Sequence, residues 1–468
     1  MEFLAQLLLF AWVPLVLVLF WSSRHLRRAV IAAYLGGLLL LPVASYKLLP
    51  SIPTIEKFLV TNLGVFLGIV FFDSARLRRF KPSWLDLPML VFCISPFASS
   101  IANDLGVYDG CSALAEVVMR WGIPYLVGRL YFGDLQGLRE LAIGTFVAGV
   151  FYLPPILLES RLAPQLHSWI FGVPGVVSWE SVAFFGPLRW KPAVFMQSAL
   201  ALTMFMTAAT LCGYWLWSQG GLRWLRGIRV HWLLLAALAG AFLGKTLGGV
   251  TLLFAGGLSL WVMRWARTAL PLALLLAVPL LYVPLRATGL WSGQELTTFI
   301  AENLSERRAE SLDTRLANEN ILVEKALRRP VFGWGRWGRS RIYDQELERD
   351  LSVTDGLWII LLGCQGFVGL ASFTLILLLP PLFLLWKVSI DVWLHSAFAP
   401  ATVLITLLLL HAIDNLGNAM FNPLFILAAG GSAGLVTLRT RIRRAAPTRA
   451  IVPVQLAGRV ALPWTRGD

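Results

Sequence analysis

A lone lysine in a glycine-rich stretch is the first feature of this sequence that suggests chemistry. Lys245 lies within 240–249, between two apolar segments that are each short for a membrane span. In such a break, backbone amides at a helix start and an ammonium group can converge on an anion. A tight external turn would leave the same pattern, so an anion site and an ordinary turn are both open interpretations.

A long polar stretch that starts at Thr297 carries further charged residues. It predicts an amphipathic helix that begins at Ser305 and ends before Pro330, because the residue preceding a proline is pushed out of the helical region. Arg308 and Arg315 lie seven residues apart beside the apolar stripe of this helix. One edge of the helix is therefore cationic.

Two ionisable residues lie inside an apolar segment, where charge is costly. Glu116 and Arg120 are four residues apart, so they share one helical face. A structural ion pair and a contact to a substrate are equally compatible with this placement.

The loop that begins at Glu159 is a further candidate region, with an ordinary connecting loop as the alternative. Loops carry many binding residues. The charged and aromatic side chains of this loop are Glu159, Arg161, His167, Arg189, Trp190 and Lys191.

The composition decides the class of protein. With 468 residues, 57% of them hydrophobic and 14% charged, and a mean hydropathy of +0.71, the chain is predicted to be a polytopic integral membrane protein. The net charge of +14 does not indicate a nucleic-acid partner, because the basic residues lie in short clusters between apolar runs. The four cysteines lack a CxxC spacing and neighbouring histidines, so neither disulfides nor a zinc site is predicted.

The apolar runs predict an all-α fold with about 12 to 13 transmembrane helices, since one span needs about 20 apolar residues. The expected spans lie near 3–21, 29–50, 58–73, 83–99, 112–131, 140–158, 193–217, 231–244, 247–263, 268–285, 356–385, 396–412 and 422–437. The first run is preceded by a glutamate and lacks a cleavage site, so it is interpreted as a retained helix.

Lysine and arginine clusters in the short loops set the expected orientation. They all fall on one side of an alternating arrangement, which is then the cytoplasm. The expected units are an N-terminal bundle (1–286) with an outer loop near 159–192, a large periplasmic helical loop (287–355), C-terminal transmembrane helices (356–444) and a disordered cytoplasmic tail (445–468).

Several of these stretches together resemble the O-antigen ligase and polysaccharide polymerase superfamily. Arg315 on the outer helix, followed by Arg329, Pro330, Gly333 and Gly335, is similar to the family's helix arginine and its "RP-x-x-G-x-G" loop. The polar pair that opens the next span, and the "G-x-x-G-L" sequence at 366–370 inside it, complete that signature.

Two earlier elements extend the resemblance to about 159–370. Arg189 and Pro192 resemble an "R-x-x-x-P" element, although the proline comes one residue early. Lys245 stands where the family's "S-R-G" break has its arginine. The family's ligases have His-Asn as the polar pair where this chain has Asp355 and Gly356, which favours the polymerase side of the family.

The resemblance implies a multi-span, GT-C-like glycosyltransferase that is metal-independent, needs no cofactor and inverts the anomeric centre. Its donor would be a glycan on undecaprenyl diphosphate, and its acceptor another glycan, at the periplasmic face of the bacterial inner membrane. Proteins of polysaccharide export and assembly are further implied partners. Arg189, Lys245 and Arg315 would hold the diphosphate, since arginine suits phosphate oxygens, while Glu159 and Arg120 would contact substrate.

A general base must deprotonate the acceptor hydroxyl, and two carboxylates are candidates. Asp355 is favoured by its position. Asp414 is the alternative, within a polar cluster that also contains His411 and Asn415. These residues would either bind sugar hydroxyls or cap two helix ends, with His411 an interhelical histidine.

A transporter or flippase for lipid-linked glycan is the alternative function. Such proteins also have many spans, buried charges and glycine breaks, but they concentrate polar residues at the bilayer midplane. Here the candidate residues map to the outer rim, which favours the enzyme. No motif supports a nucleotide site, a dinucleotide site or a metalloprotease.

Overall fold

The computed structural model is all-α and describes residues 2–47, 54–162, 166–173, 175, 190–303, 306–336, 338–343, 350, 352 and 354–445. The helices of this part are α1 (Glu2–Ser22), α2 (Leu26–Leu40), α3 (Lys57–Phe72), α4 (Ser74–Arg78), α5 (Leu87–Ala102), α6 (Gly106–Val117), α7 (Ile123–Tyr131), α8 (Leu135–Phe151), α9 (Leu153–Leu162), α10 (Leu166–Phe171), α11 (Ala199–Ser218), α12 (Val230–Leu243), α13 (Leu247–Trp265), α14 (Leu270–Ala287), α15 (Gln294–Asn303), α16 (Glu306–Leu327), α17 (Leu357–Lys387), α18 (Ile390–Trp393), α19 (Ala399–Gly417) and α20 (Pro423–Ala445).

Short irregular elements connect these helices. A 3-10 turn, Trp84–Asp86, precedes α5, and a π turn, Val118–Gly122, joins α6 to α7. Two antiparallel hairpins are formed by β1 (Ser45–Tyr46) with β2 (Ile55–Glu56), and by β3 (Trp224–Leu225) with β4 (Ile228–Arg229).

Eight helices of the described chain are long and apolar enough to cross a membrane, and three shorter apolar helices accompany them. The expected all-α membrane class is confirmed. Each of the thirteen expected spans overlaps a helix or consecutive helices, but the span expected at 29–50 is too long, because α2 ends at Leu40 and is followed by β1. The expected count of about 12 to 13 is not reached by length alone, because some of these segments are short: α12 has 14 residues and extends only about 21 Å.

Two helices form the centre of the bundle. α11 and α19 are buried along most of their length, whereas α1 exposes most of its surface. Small and hydroxyl-bearing residues let α11 approach its neighbours: Thr207 donates its hydroxyl to the carbonyl oxygen of Gly249 in α13 at 3.0 Å. We name the end at which α11 begins the upper end, and the other the lower end.

The helix α17 is broken at Gly366, where φ is 65° and ψ is −163°. The loop 330–335 fills this break, because it supplies partners for backbone groups that the interrupted helix cannot pair. Four backbone hydrogen bonds join them: Trp334 N to Gly363 O (2.8 Å), Gly335 N to Cys364 O (3.1 Å), Phe367 N to Pro330 O (2.7 Å) and Val368 N to Val331 O (3.2 Å).

Helix α5 closes the same junction from the other side. Asn103 donates to the carbonyl oxygen of Gly333 at 2.9 Å and accepts a hydrogen bond from Arg329. Ser99 donates to the carbonyl oxygen of Cys364 at 3.0 Å. The loop that sequence analysis placed outside the membrane is thus a structural plug that fixes the end of α16 against α17.

We expect Gly366→Ala to destabilise the protein strongly. The backbone conformation at Gly366 is one that only glycine adopts readily, and a Cβ there would collide with the carbonyl oxygens of Pro330 and Val331. A loss of about 3 kcal/mol or more is expected, measured by thermal unfolding of the purified protein in detergent. Gly248→Ala is the matched control, because a Cβ there meets no atom within 4 Å, and its effect should stay below about 1 kcal/mol. Equal unfolding temperatures for the two variants would contradict the plug.

Candidate functional site

The connection between α19 and α20, residues 418–422, lies at the upper end and is here called the hub. The backbone N–H of Leu357, at the start of α17, donates to the carbonyl oxygen of Asn418 at 3.1 Å. Ser198, which caps α11, donates to the sulfur of Met420 at 3.4 Å. The ring of Phe421 lies 4.7 Å from the ring of Phe58 in α3. The starts of α3, α11 and α17 therefore meet at one place.

Beside the hub, the structure brings together two of the residues selected from the sequence. Nε of Arg315 lies 3.2 Å from Oδ2 of Asp355, with 48% and 40% of the two side chains exposed. Asp355 comes two residues before Leu357, which is bound to Asn418. A guanidinium group and a carboxylate thus face solvent at the upper end of the bundle.

Asp414 lies on the other side of Asn418. The Asn418 side-chain amide donates to Oδ1 of Asp414 at 2.7 Å, and the Asn418 backbone N–H donates to the Asp414 carbonyl oxygen at 2.9 Å. Both candidate carboxylates therefore lie beside the same asparagine, and the backbone N–H of that asparagine caps the C-terminal end of α19 at the Asp414 carbonyl oxygen.

Arg315 is positioned by a buried ion pair four residues further along α16. Nη2 of Arg286, in α14, lies 2.9 Å from Oε2 of Glu319, and only 1% of the arginine side chain is exposed. Tyr282 and Trp358 also donate to the Glu319 carboxylate, at 2.9 and 3.3 Å. This network locks α16 to α14 and α17, which fixes the neighbouring turn that carries Arg315.

The electrostatics of Glu319 reflect this burial. Desolvation raises the pKa of Glu319 above its ordinary value, and the hydrogen bonds and charge of Arg286 offset part of the rise. The glutamate therefore depends on the arginine to remain ionised. Neither residue was selected from the sequence; an arginine at the end of an apolar run is the signal that could have found the pair.

Lys245 also lies at the upper end and is nearly buried, with 9% exposed. Its ammonium group donates to the carbonyl oxygen of Trp190 at 2.8 Å, and its φ of 53° lies in the left-handed region. Burial lowers the pKa of Lys245, and the positive charge of Arg161 lowers it further. The start of α13 follows directly, and its N-cap residue Thr246 makes no side-chain capping bond. The predicted break between α12 and α13 is therefore present, and Arg161 of α9 is a neighbouring cation.

Glu159 does not fit the expected contact to substrate. Only 1% of it is exposed, and its carboxylate accepts hydrogen bonds from the backbone N–H groups of Leu166 (3.3 Å), Ala193 (3.1 Å) and Val194 (2.7 Å). It ties the two ends of its loop together, because buried backbone donors require acceptors. Arg189, expected to bind the diphosphate, lies outside the described residues.

Arg120 pairs with a different glutamate from the one expected. Its Nη1 lies 3.6 Å from Oε1 of Glu56, and its guanidinium group lies 5.1 Å from the centre of the Phe421 ring. Glu116 is exposed. The π turn Val118–Gly122 changes the helical spacing, so residues four apart no longer share a face. Arg120 nevertheless reaches the hub through Phe421.

His411 and Asn415 are buried in α19 rather than presented at the surface. The His411 ring stacks on Phe425 with centroids 4.1 Å apart. Within the described chain, His411 Nδ1 and both amide atoms of Asn415 lack a hydrogen-bond partner. Asn415 lines a cavity of about 30 Å³, which is large enough for a water molecule. Of the two alternatives for His411, the stacking on Phe425 of α20 favours an interhelical histidine over a contact to sugar hydroxyls.

The upper end thus combines an arginine and a carboxylate in contact, a second carboxylate and a separate lysine. Such an arrangement can hold an anionic group and accept a proton. No group of three or more His, Cys, Asp or Glu side chains in the described chain is placed to hold a metal ion. No protein-family model matches the sequence, and no curated protein or solved structure matches it either.

Proposed function

We propose that this protein is a GT-C-like glycan polymerase or ligase of the bacterial inner membrane. It transfers a glycan from a polyprenyl-diphosphate carrier to a sugar acceptor at the periplasmic face, without a metal and with inversion. The observation that carries this proposal is the solvent-facing contact between Arg315 and Asp355 beside the hub. It places a phosphate-binding group and a proton acceptor side by side, outside the apolar bundle.

The reaction is a single displacement. The oxygen of an acceptor hydroxyl attacks the anomeric carbon of the donor, and the bond from that carbon to the phosphate oxygen breaks. The hydroxyl proton passes to the carboxylate of Asp355, and the electron pair leaves on the lipid diphosphate. Arg315 stabilises the charge that develops on the leaving group, and attack from the opposite side inverts the configuration.

The Arg315–Asp355 contact is weak enough for a diphosphate to replace Asp355 as the partner of Arg315. Half-exposed ion pairs contribute little stability, and 48% and 40% of these two side chains are exposed. A diphosphate offers several oxygens in the geometry that a guanidinium group binds with two hydrogen bonds. Donor binding would therefore draw Arg315 to the phosphate and free Asp355 to accept the proton.

Lys245 and Arg161 supply a second cationic region at the upper end, where Arg189 was also expected. Lys245 lies near the start of α13, where backbone N–H groups favour anions. We propose that these cations bind the diphosphate group of the donor as the donor enters from the bilayer.

A transporter for lipid-linked glycan is the competing function. The break in α17 helps to distinguish it from the enzyme. In transporters, the ends of interrupted helices point at substrate or ions near the midplane. Here loop 330–335 binds the backbone groups at the break, so they are already paired. This favours the enzyme.

The test is reconstitution of the purified protein in proteoliposomes with a polyprenyl-diphosphate oligosaccharide. We expect release of polyprenyl diphosphate and formation of a longer or transferred glycan, unaffected by chelators. Transfer of intact lipid-linked glycan across the bilayer, with no diphosphate released, would instead establish the transporter.

Asp355→Asn should abolish the chemical step, because an amide cannot accept the hydroxyl proton. A fall in kcat of about a hundredfold or more is expected, with little change in donor affinity, measured by single-turnover kinetics. Asp414→Asn is the matched variant and should retain most activity, since the Asp414 carboxylate is already engaged by the Asn418 side-chain amide. If Asp414→Asn were inactive and Asp355→Asn active, Asp414 would be the general base.

A further inference from the structure

At the lower end, a cavity of about 660 Å³ opens between the end of α11, the hairpin of β3 and β4, and the end of α13. Helix α13 has 19 residues, so this cavity lies about 28 Å from the Lys245 end. Its lining includes three arginines and several aromatic side chains, among them Arg223, Arg229, Arg264, Trp217 and Trp224. The proposed reaction uses none of them.

The hairpin gives this cavity a defined wall. Trp224 pairs with Arg229 and Leu225 with Ile228, which leaves a two-residue turn. The turn residues Arg226 and Gly227 have φ values of 48° and 80°, as a type I′ turn requires. Because this turn matches the twist of the strands, Arg223 and Arg229 are held at its two ends before any ligand binds.

The charge of the cavity is not balanced. None of its lining residues is acidic, and within the described chain Arg223, Arg229 and Arg264 make no ion pair. Arg229 lies over the Trp224 ring at 5.4 Å, and Arg264 donates to the carbonyl oxygen of Ser218 at 2.9 Å. Guanidinium groups in a concave site with unused N–H donors suit phosphate oxygens.

The surroundings of the cavity are those of a membrane interface. α11 and α13 both qualify as membrane spans and end here. Trp217, Trp224, Trp261 and Trp265 are all exposed, and tryptophan is enriched at the level of lipid headgroups. A cluster that only set the orientation of the chain would need neither a hairpin nor a cavity.

We propose that this cavity binds the phosphate of an anionic phospholipid headgroup. The three arginines contact the phosphate oxygens, and the exposed tryptophans contact the glycerol and the first part of the acyl chains. Basic pockets between transmembrane helices on the cytoplasmic side are suited to such lipids.

The experiment uses the full-length protein in detergent with added phosphatidylglycerol or phosphatidylcholine, with bound lipid counted by native mass spectrometry. We expect wild-type protein to retain phosphatidylglycerol preferentially. The double variant Arg223→Gln, Arg229→Gln should bind it about thirtyfold more weakly, because each basic residue near the surface contributes about fivefold.

Arg226→Asn is the control, since it removes a charge from the same hairpin but does not line the cavity. It should bind phosphatidylglycerol like the wild type, and thermal unfolding should show all proteins folded. Equal retention of the two lipids, or equal losses in the double variant and the control, would overturn the proposal. Binding of inorganic phosphate as tight as that of the lipid would overturn the lipid as the ligand.

Discussion

Arg315→Ala is expected to reduce glycan transfer by about a hundredfold or more while leaving the protein folded. Its guanidinium group is half-exposed and, within the described residues, forms an ion pair with the Asp355 carboxylate alone, so little stability is lost with it. In the proposed reaction it stabilises charge that appears on the leaving diphosphate, and removing one such donor costs about two to three orders of magnitude in rate. The measurement is release of polyprenyl diphosphate by the reconstituted variant.

Arg328→Ala provides the matched control, at the residue that directly follows α16. Arg328 is exposed and pairs with Glu324 one turn earlier, so its loss removes an equal charge at the far end of α16. It should keep wild-type turnover. If both variants were equally slow, general electrostatics rather than a specific contact would explain the effect; if Arg315→Ala were fully active, the arginine would be removed from the site.

Arg286→Met is expected to cause the largest loss of stability. It leaves Glu319 buried without its cation, and breaking a buried pair in this way costs about 3 to 5 kcal/mol. The docking of α15 and α16 should loosen first, because Arg286 also donates to Asn320 at 2.8 Å and to the Ser292 carbonyl oxygen at 2.8 Å. Thermal unfolding and limited proteolysis of these outer helices measure both effects.

The pH dependence of Arg286→Met follows from Glu319. Burial raises the pKa of Glu319 in the folded state above the value of 4.5 that applies to the unfolded chain, and without Arg286 only the hydrogen bonds from Tyr282 and Trp358 offset the rise. Between these two pKa values the folded state binds more protons, so stability falls as the pH rises. The double variant Arg286→Met, Glu319→Gln should recover much of the loss and lack this slope. A single variant as stable as the wild type would show that the pair does not hold α16.

Much of the fold could be predicted from the sequence because membrane spans depend on local composition. The outer helix was expected to begin at Ser305 and stop before Pro330, and α16 runs from Glu306 to Leu327. The break at Gly366 could not be predicted, since a glycine beside Gln365 within an apolar span does not by itself indicate a broken helix. Its conformation depends on hydrogen bonds from a loop about 30 residues earlier.

For the candidate site, the sequence could indicate individual residues but not the contacts between them. Arg315 and Asp355 were selected separately, and the structure brings them into contact. The π turn beside Arg120 was missed, because the four-residue spacing rule assumes a regular α-helix. The hydrogen bonds from backbone N–H groups to Glu159 were missed, because the partners of a carboxylate cannot be identified from the sequence. A buried residue that fixes a loop and an exposed residue that binds a ligand look alike in a sequence.

The central claim is that the upper end of this bundle grips a lipid diphosphate through Arg315. A cryo-electron microscopy structure of the protein with undecaprenyl diphosphate bound tests it most directly. We predict that the diphosphate lies within hydrogen-bonding distance of the Arg315 guanidinium group and that the Arg315–Asp355 contact is broken. A diphosphate bound at the lower end, or at the upper end with that contact intact, would contradict the account.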